Sequence, residues 1–348
     1  MTRFSKFTAD QWLSDKVEER FSESSTSGHI GNALEICALS TFKSYYEDYE
    51  ENSTYYNKLE VILQKVSIIL YSIIFVLGII GNGLVIWIAG FRMKKTISAG
   101  WFLHLAIADF LCCASLPLRI TEWVLHFDWL PVRICVMSLI LFNLNMSVSV
   151  LLLTAMSIDR WVSVMWPFWG KVHRTCKLVR ITVVIIWMLG LLSTGLVFYL
   201  YIYYIHDLNE WCTYVHMYED VNHRKIKQTL QIIRLTIMFV IPFLIIITTY
   251  FTIFFKVRKS KRSQRSSRII TTVISCFFIS WFPYYIWPLT PMYDGHYIQF
   301  YILNTITMIL AYLNSCINPI IYVFIGQDFQ HGFLRSIPFR VEKSLNEC

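Results

Sequence analysis

Apolar residues run almost unbroken through most of this chain, in seven stretches at roughly 62–90, 98–125, 134–166, 178–203, 229–256, 269–291 and 297–325. Each reaches the ~20 residues that an α-helix needs to cross a bilayer, some with tilt. Pro117, Pro242, Pro283 and Pro319 fall inside these stretches. Membrane helices tolerate proline because neighbouring groups re-satisfy the freed backbone. The pattern predicts an all-α membrane protein, a seven-transmembrane helix bundle over residues 61–325. An acidic tail over 1–60, too polar to order itself, precedes it, and a short segment over 326–348 follows.

Composition agrees. Of 348 residues, 55% are hydrophobic and only 16% charged, against about a quarter charged in soluble domains. The net charge of +8 sits mainly in the loops after spans one, three and five. These carry Arg92, Lys94 and Lys95; Lys171, Arg174, Lys177 and Arg180; and Lys256, Arg258, Lys259, Lys261, Arg262, Arg265 and Arg268. Positive loops face the cytoplasm, which places the N-terminus outside. Topology thus accounts for the charge without a nucleic-acid partner, and leaves room for a cytosolic partner or acidic membrane lipid.

The tail lacks the charged start and apolar core of a signal peptide. Its Asn52-Ser53-Thr54 is a glycosylation sequon. Tyr45, Tyr46 and Tyr49, set among Glu47, Asp48, Glu50 and Glu51, are candidates for sulfation or simply belong to an acidic linker. Cys135 and Cys212 both fall on the oxidising side, where a disulfide is expected. Cys112, Cys113, Cys276 and Cys316 lie within spans and read as small buried hydrophobes. Cys348, near the membrane, is a candidate for palmitoylation.

Charge at membrane depth is costly and marks function, and Asp109 is the clearest instance. Asn82, Asn145, Ser149, Asn314, Ser315 and Asn318 could gather around it as hard oxygen ligands for a cation, or each could make a separate interhelical hydrogen bond. A proton path is a poorer reading, because one deep acid makes no relay.

"GNGLV", "LAIAD", "DRW", Trp187, Pro242 with Tyr250, "SWFPY" and "NPIIY" follow one another, one set per span. Together they resemble the rhodopsin-like class A G-protein-coupled receptors over roughly residues 61–335. The resemblance implies that Asp159 and Arg160 form the resting ion pair of a cytoplasmic switch. It further implies that Tyr250 and Tyr322 join the freed arginine on activation, and that Trp281 is the toggle residue above which ligand binds. Pro283, Asn318 and Pro319 would permit the helix movements. Asp109, Ser149, Asn314, Ser315 and Asn318 match the pocket that holds an allosteric sodium ion; no other cofactor is expected. Trp161 and Ser280 depart from the usual tyrosine and cysteine. "QDF" at the end of span seven resembles the entry to a short amphipathic eighth helix.

Within the family, Phe142 replaces the aspartate of amine receptors and Tyr312 the retinal lysine of opsins. "WPFWGKVHRT" and "NSCINPIIYVFIGQDF" resemble the chemoattractant cluster of formyl-peptide and chemerin receptors. Arg234 matches an arginine that this cluster uses for acidic ligand groups, which guanidinium holds bidentately; alternatively it snorkels to the interface. Asn143 and Leu230 stand where formyl-peptide receptors carry an acid and a second arginine, so formylated peptides are not implied. Arg119 and Glu122, three residues apart near the outer end of span two, could pair with each other or, as pocket rim, favour a ligand with charged ends. Phe142, Asn143, Arg119, Trp281, Tyr284 and Arg234 are therefore the candidate ligand residues.

The expected function is a plasma-membrane receptor for an extracellular peptide or acidic lipid mediator that couples to an inhibitory-type heterotrimeric G protein. A non-signalling scavenger of the same fold is the alternative. Ser336 and Ser344 are few hydroxyls for arrestin capture by the tail; Ser260, Ser263, Ser266 and Ser267 of the third cytoplasmic loop could substitute. An enzyme is not expected, since no nucleophile-base or metal-ligand constellation is present, and neither an ionisable path nor an inverted repeat points to a transporter.

Overall fold

A computed structural model describes residues 31–92, 96–124, 132–205, 221–257, 261–289 and 297–325. They belong to two compact units, Met1–Ile62 and Leu63–Cys348. Of the first, the backbone from Gly31 onward is described, and it is helical. Here the structure differs from the expected disordered tail. Residues 32–60 hold neither proline nor glycine and include Ala33, Leu34, Glu35, Ala38, Leu39 and Lys43, all good helix formers. Helix preference prevails over polarity. Asn52, Tyr45, Tyr46 and Tyr49 lie on this backbone, with side chains outside the described residues.

Every described element is helical. α1 (Gly31–Trp87) continues as a π-helical turn, Ile88–Arg92. Then follow α2 (Ile97–Ala114), α3 (Leu116–Val124), α4 (Val132–Met165), α5 (Pro167–His173) and α6 (Cys176–Ile205). α7 (Val221–Leu235), α8 (Ile241–Val257), α9 (Lys261–Ile286) and α10 (Tyr297–Ile325) complete the order. Among the described residues six helical spans are long and apolar enough to cross a membrane. The seventh expected span is α10. Its buried Asn304, Thr305, Thr307, Asn314, Ser315 and Asn318 dilute its apolarity. The eighth helix, the loop with Cys212 and the Cys135 side chain lie outside the described residues. α9 begins at Lys261, so Ser263, Ser266 and Ser267 sit on helical backbone rather than in a loop.

Prolines shape the spans. Span two breaks between α2 and α3 at Ser115, whose hydroxyl donates to the Cys112 carbonyl at 2.7 Å, two residues before Pro117. Span five widens to a π-helix over Thr236–Val240 just before Pro242, which has no N–H for the carbonyl four residues back.

α4 is the hub. It packs against α2, α6 and α8, while α9 packs on α10. In its most apolar window 78% of positions are buried, against 17% in span five and 28% in spans one and four. The outer helices instead present Ile69, Val184, Leu192 and Phe254, all more than half exposed. Such faces suit lipid, where close packing rather than hydrophobic expulsion joins helices and small residues set the spacing. Gly78 is one such position. A Cβ there would stand 2.2 Å from the Cys113 Sγ. Gly78→Ala should therefore destabilise the solubilised protein by about 1–3 kcal/mol, the cost of overpacking. Cys113→Ala in the same chain should recover most of the lost thermal stability.

Candidate signalling sites in the bundle

Three clusters of chemistry-bearing residues lie along α4. The deepest is centred on Asp109 of α2, which is fully buried. Asn145 of α4 donates to its Oδ1 at 2.9 Å and Asn318 of α10 to its Oδ2 at 2.8 Å. Ser149 lies one turn beyond Asn145; Asn314 and Ser315 lie one turn before Asn318. All three are buried. Asn82 of α1 donates to the Ser315 carbonyl at 2.8 Å and to the Gly78 carbonyl at 3.0 Å, tying α1 to α10. Among the described residues the oxygens Asn82 Oδ1, Asn145 Oδ1, Ser149 Oγ, Asn314 Oδ1 and Asn318 Oδ1 are buried without a hydrogen-bond partner, while the Ser315 hydroxyl lies against the Asp109 carboxyl. Amide oxygens can only accept, so they cannot satisfy one another. A carboxylate with unpartnered hard oxygens on the facing helices is a donor set that fits a hard monovalent cation.

The second cluster is at the end of α4 and corrects the expected Asp159–Arg160 pair. Asp159 instead accepts two bonds from Arg174, from Nε at 2.8 Å and Nη2 at 2.6 Å. The Arg160 Nη2 donates to the Ser98 Oγ on α2 at 3.0 Å. Consecutive helix residues leave the helix in different directions, so the two side chains meet only by bending toward each other, and here both Asp159 oxygens are taken by Arg174. Arg174 comes from a separate element. It caps α5, its N–H donating to the Gly170 carbonyl at 3.0 Å. Trp161 meets Trp166 edge to face, centroids 4.8 Å apart, and so braces the turn into α5. Lys256 of α8 donates to the Met165 carbonyl at 2.9 Å. The Tyr250 phenol lies against the Ser157 and Thr271 hydroxyls. The Tyr322 side chain lies outside the described residues.

At the opposite end of the bundle, Arg234 of α7 donates to the Asn143 Oδ1 and to the Met146 Sδ at 3.2 Å. Its guanidinium carbon lies 5.6 Å from the Tyr284 ring centre and 5.7 Å from that of Tyr285. All four partners are neutral. Asn143 is itself fixed, its Nδ2 donating to the Leu139 carbonyl at 2.8 Å. Next to it, buried Phe142 touches Trp281, Tyr284 and Tyr312 at centroid separations of 5.0, 5.2 and 4.7 Å. Trp281 is fully buried, one helical turn below the plane of Tyr284 and Tyr285. Thus the structure joins Asn143 to Arg234 and Phe142 to Trp281 and Tyr284.

Arg119 does not sit on a rim. It is only 3% exposed, because the break at Ser115 re-aims α3 into the bundle. The Glu122 side chain lies outside the described residues. Sequence reasoning gave no role to Ser98 and Met146, which carry no charge, and took Arg174 as one loop cation among several. It also passed over Cys176, exposed at the start of α6.

Residues 81–322 match the family described as 7 transmembrane receptor (rhodopsin family). The chain is 37% identical to a C3a anaphylatoxin chemotactic receptor of Oncorhynchus mykiss, over 92% of this chain and 91% of the relative. It is 35% identical to an N-formyl peptide receptor 2 of Macaca mulatta, over 88% and 93%, and 34% identical to a formyl peptide receptor 2 of Mus musculus, over 84% and 89%. With a helical bundle built around its central span and a rhodopsin-family match over most of its length, the chain belongs to the class A G-protein-coupled receptors, in their chemoattractant branch.

Proposed function

We propose that this receptor recognises an extracellular chemoattractant peptide or lipid mediator through an acidic group, and signals to an inhibitory-type heterotrimeric G protein. The N-terminus and the Arg234 end face outward; the Arg160 end, with α5 and the basic loops, faces the cytoplasm. One observation carries the ligand class. Arg234, at membrane depth, is held by an amide oxygen, a thioether and two phenol rings, and among the described residues no carboxylate neutralises it. A half-buried cation without a counter-ion is costly, and a ligand carboxylate relieves that cost with two charge-assisted bonds.

The relatives named for an anaphylatoxin and for formyl peptides support a peptide ligand. Asn143 and Leu230 leave formylated peptides unassigned. A ligand on Arg234 would press on Tyr284 and, through Phe142, on Trp281, shifting a pre-existing equilibrium. Pro283, Asn318 and Pro319 give α9 and α10 their points of bending, and Arg160, Tyr250 and Tyr322 form the output. Asp109, with Ser149, Asn314, Ser315 and Asn318, would hold a sodium ion that neutralises the carboxylate and favours the resting arrangement. The hydroxyls of Ser260, Ser263, Ser266 and Ser267 are the arrestin site. The second reading, a scavenger, is favoured by Trp161 and Ser280 alone.

Nucleotide exchange in membranes exposed to chemotactic peptides, chemerin-like C-terminal peptides and acidic eicosanoids tests the reading. An activating acid should lose about 1.5–3 kcal/mol of binding on Arg234→Ala, and its amide or ester should bind both receptors equally weakly. Binding without exchange would favour the scavenger. Unchanged affinity in the variant would remove Arg234 from the site.

A further inference from the structure

Asp159 and Arg160 lie side by side, yet each is held by a different element. We propose that Arg174 sets the resting state of the switch by keeping the Asp159 carboxylate away from Arg160. Arg174 is thus a positioning residue, acting on the G-protein contact through Asp159. The inference rests on the orientation and transducing role proposed above.

Arg174 addresses both carboxylate oxygens, at 2.8 and 2.6 Å. This is the bidentate geometry that gives guanidinium its strongest pairing. The pair is shielded, with side-chain exposures of 21% for Arg174 and 12% for Asp159, so water competes for it less than for a surface ion pair. Among the described residues the Arg160 side chain is hydrogen-bonded to the neutral Ser98 hydroxyl alone, at 3.0 Å, with the Asp159 charge nearby but not bonded to it. A neutral acceptor holds a guanidinium more weakly than a carboxylate does.

The supply of Arg174 is built into α5. Pro167 opens that helix and Arg174 closes it. Buried Gly170 lets the Arg174 stem lie close, its Cδ 3.4 Å from where a Cβ would be. Trp161, packed on Trp166, holds the turn between α4 and α5, which gives the tryptophan a task at a position the family usually fills with tyrosine. Asp159 therefore has two cations within reach along the chain, and the fold awards it to the one on α5. Arg160 starts closer to its released form than a direct ion pair would allow. Displacing α5 hands the carboxylate back and tightens the resting state.

The test needs no ligand. The full-length receptor in nanodiscs is titrated with nucleotide-free heterotrimers of each Gα class, as wild type, Arg174→Ala, Asp159→Asn and the double variant. Arg174→Ala should weaken binding about fivefold or more, because Asp159 then falls to Arg160. Asp159→Asn should bind at least as tightly as wild type, and in that background Arg174→Ala should change nothing. Arg174→Lys, a point charge rather than a fork, should lie between wild type and Arg174→Ala. Unchanged or tighter binding by Arg174→Ala overturns the proposal. So does an equal loss in the Asp159→Asn background, which would mean that Arg174 supports the fold or touches the G protein itself. Failure of the transducing role shows separately, as wild type that binds no heterotrimer.

Discussion

Arg160→Ala should reduce ligand-driven nucleotide exchange to background while surface expression stays near wild type. The two effects separate because Arg160 has little structural work in the resting state. Among the described residues its side chain makes one hydrogen bond, to Ser98, and a single hydrogen bond contributes about 0.5–1.5 kcal/mol. In the signalling state the guanidinium must supply several charge-assisted bonds to a partner, each worth about 1.5–3 kcal/mol. Losing even two shifts the equilibrium by roughly two orders of magnitude or more. Exchange assays paired with surface labelling check this. Retained exchange would mean that the output runs through residues other than the "DRW" arginine, and the assignment of that end of α4 would fall with it.

Asp109→Asn should abolish the dependence of G-protein affinity on sodium. In wild type, replacing sodium by a bulky organic cation at constant ionic strength should strengthen binding of nucleotide-free heterotrimer by about fivefold or more, a typical coupling between linked sites. The asparagine keeps one oxygen, able to accept from Asn145 or from Asn318 but not from both in the arrangement seen here, and carries no charge for the ion. Its affinity should be the same in either salt. A sodium response that survived the substitution would assign the buried oxygens to interhelical bonding alone.

The helices were legible because lipid leaves the chain few options: a long apolar run must satisfy its own backbone, and only a helix does so within one segment. Asp109 was legible for a related reason, since an acid in such a run needs partners, and Asn145 and Asn318 are among the few polar residues at its depth. The pairing of Asp159 was not. Its true partner lies fifteen residues on, and which of several loop cations reaches it depends on how α5 is capped. Arg119 was expected on the pocket rim and is instead buried, because polarity alone does not show which way α3 faces after the break at Ser115. The helix over 31–60 was hidden by polarity, which reports burial rather than backbone preference.

The central position of α4 carries one more consequence, concerning length rather than composition. Asn143, Asn145, Asp159 and Arg160 hang from a single rod, and the first and last are separated by about 25 Å at 1.5 Å per residue. Each meets its partner because the rod has the right number of residues between them. The apolar residues from Val150 to Leu153 could exchange identities at modest cost, but one added or removed would rotate one end against the other by about 100°. Both ends would remain locally intact and yet point at the wrong neighbours. In this receptor, the count of residues along α4 is itself part of the signalling apparatus.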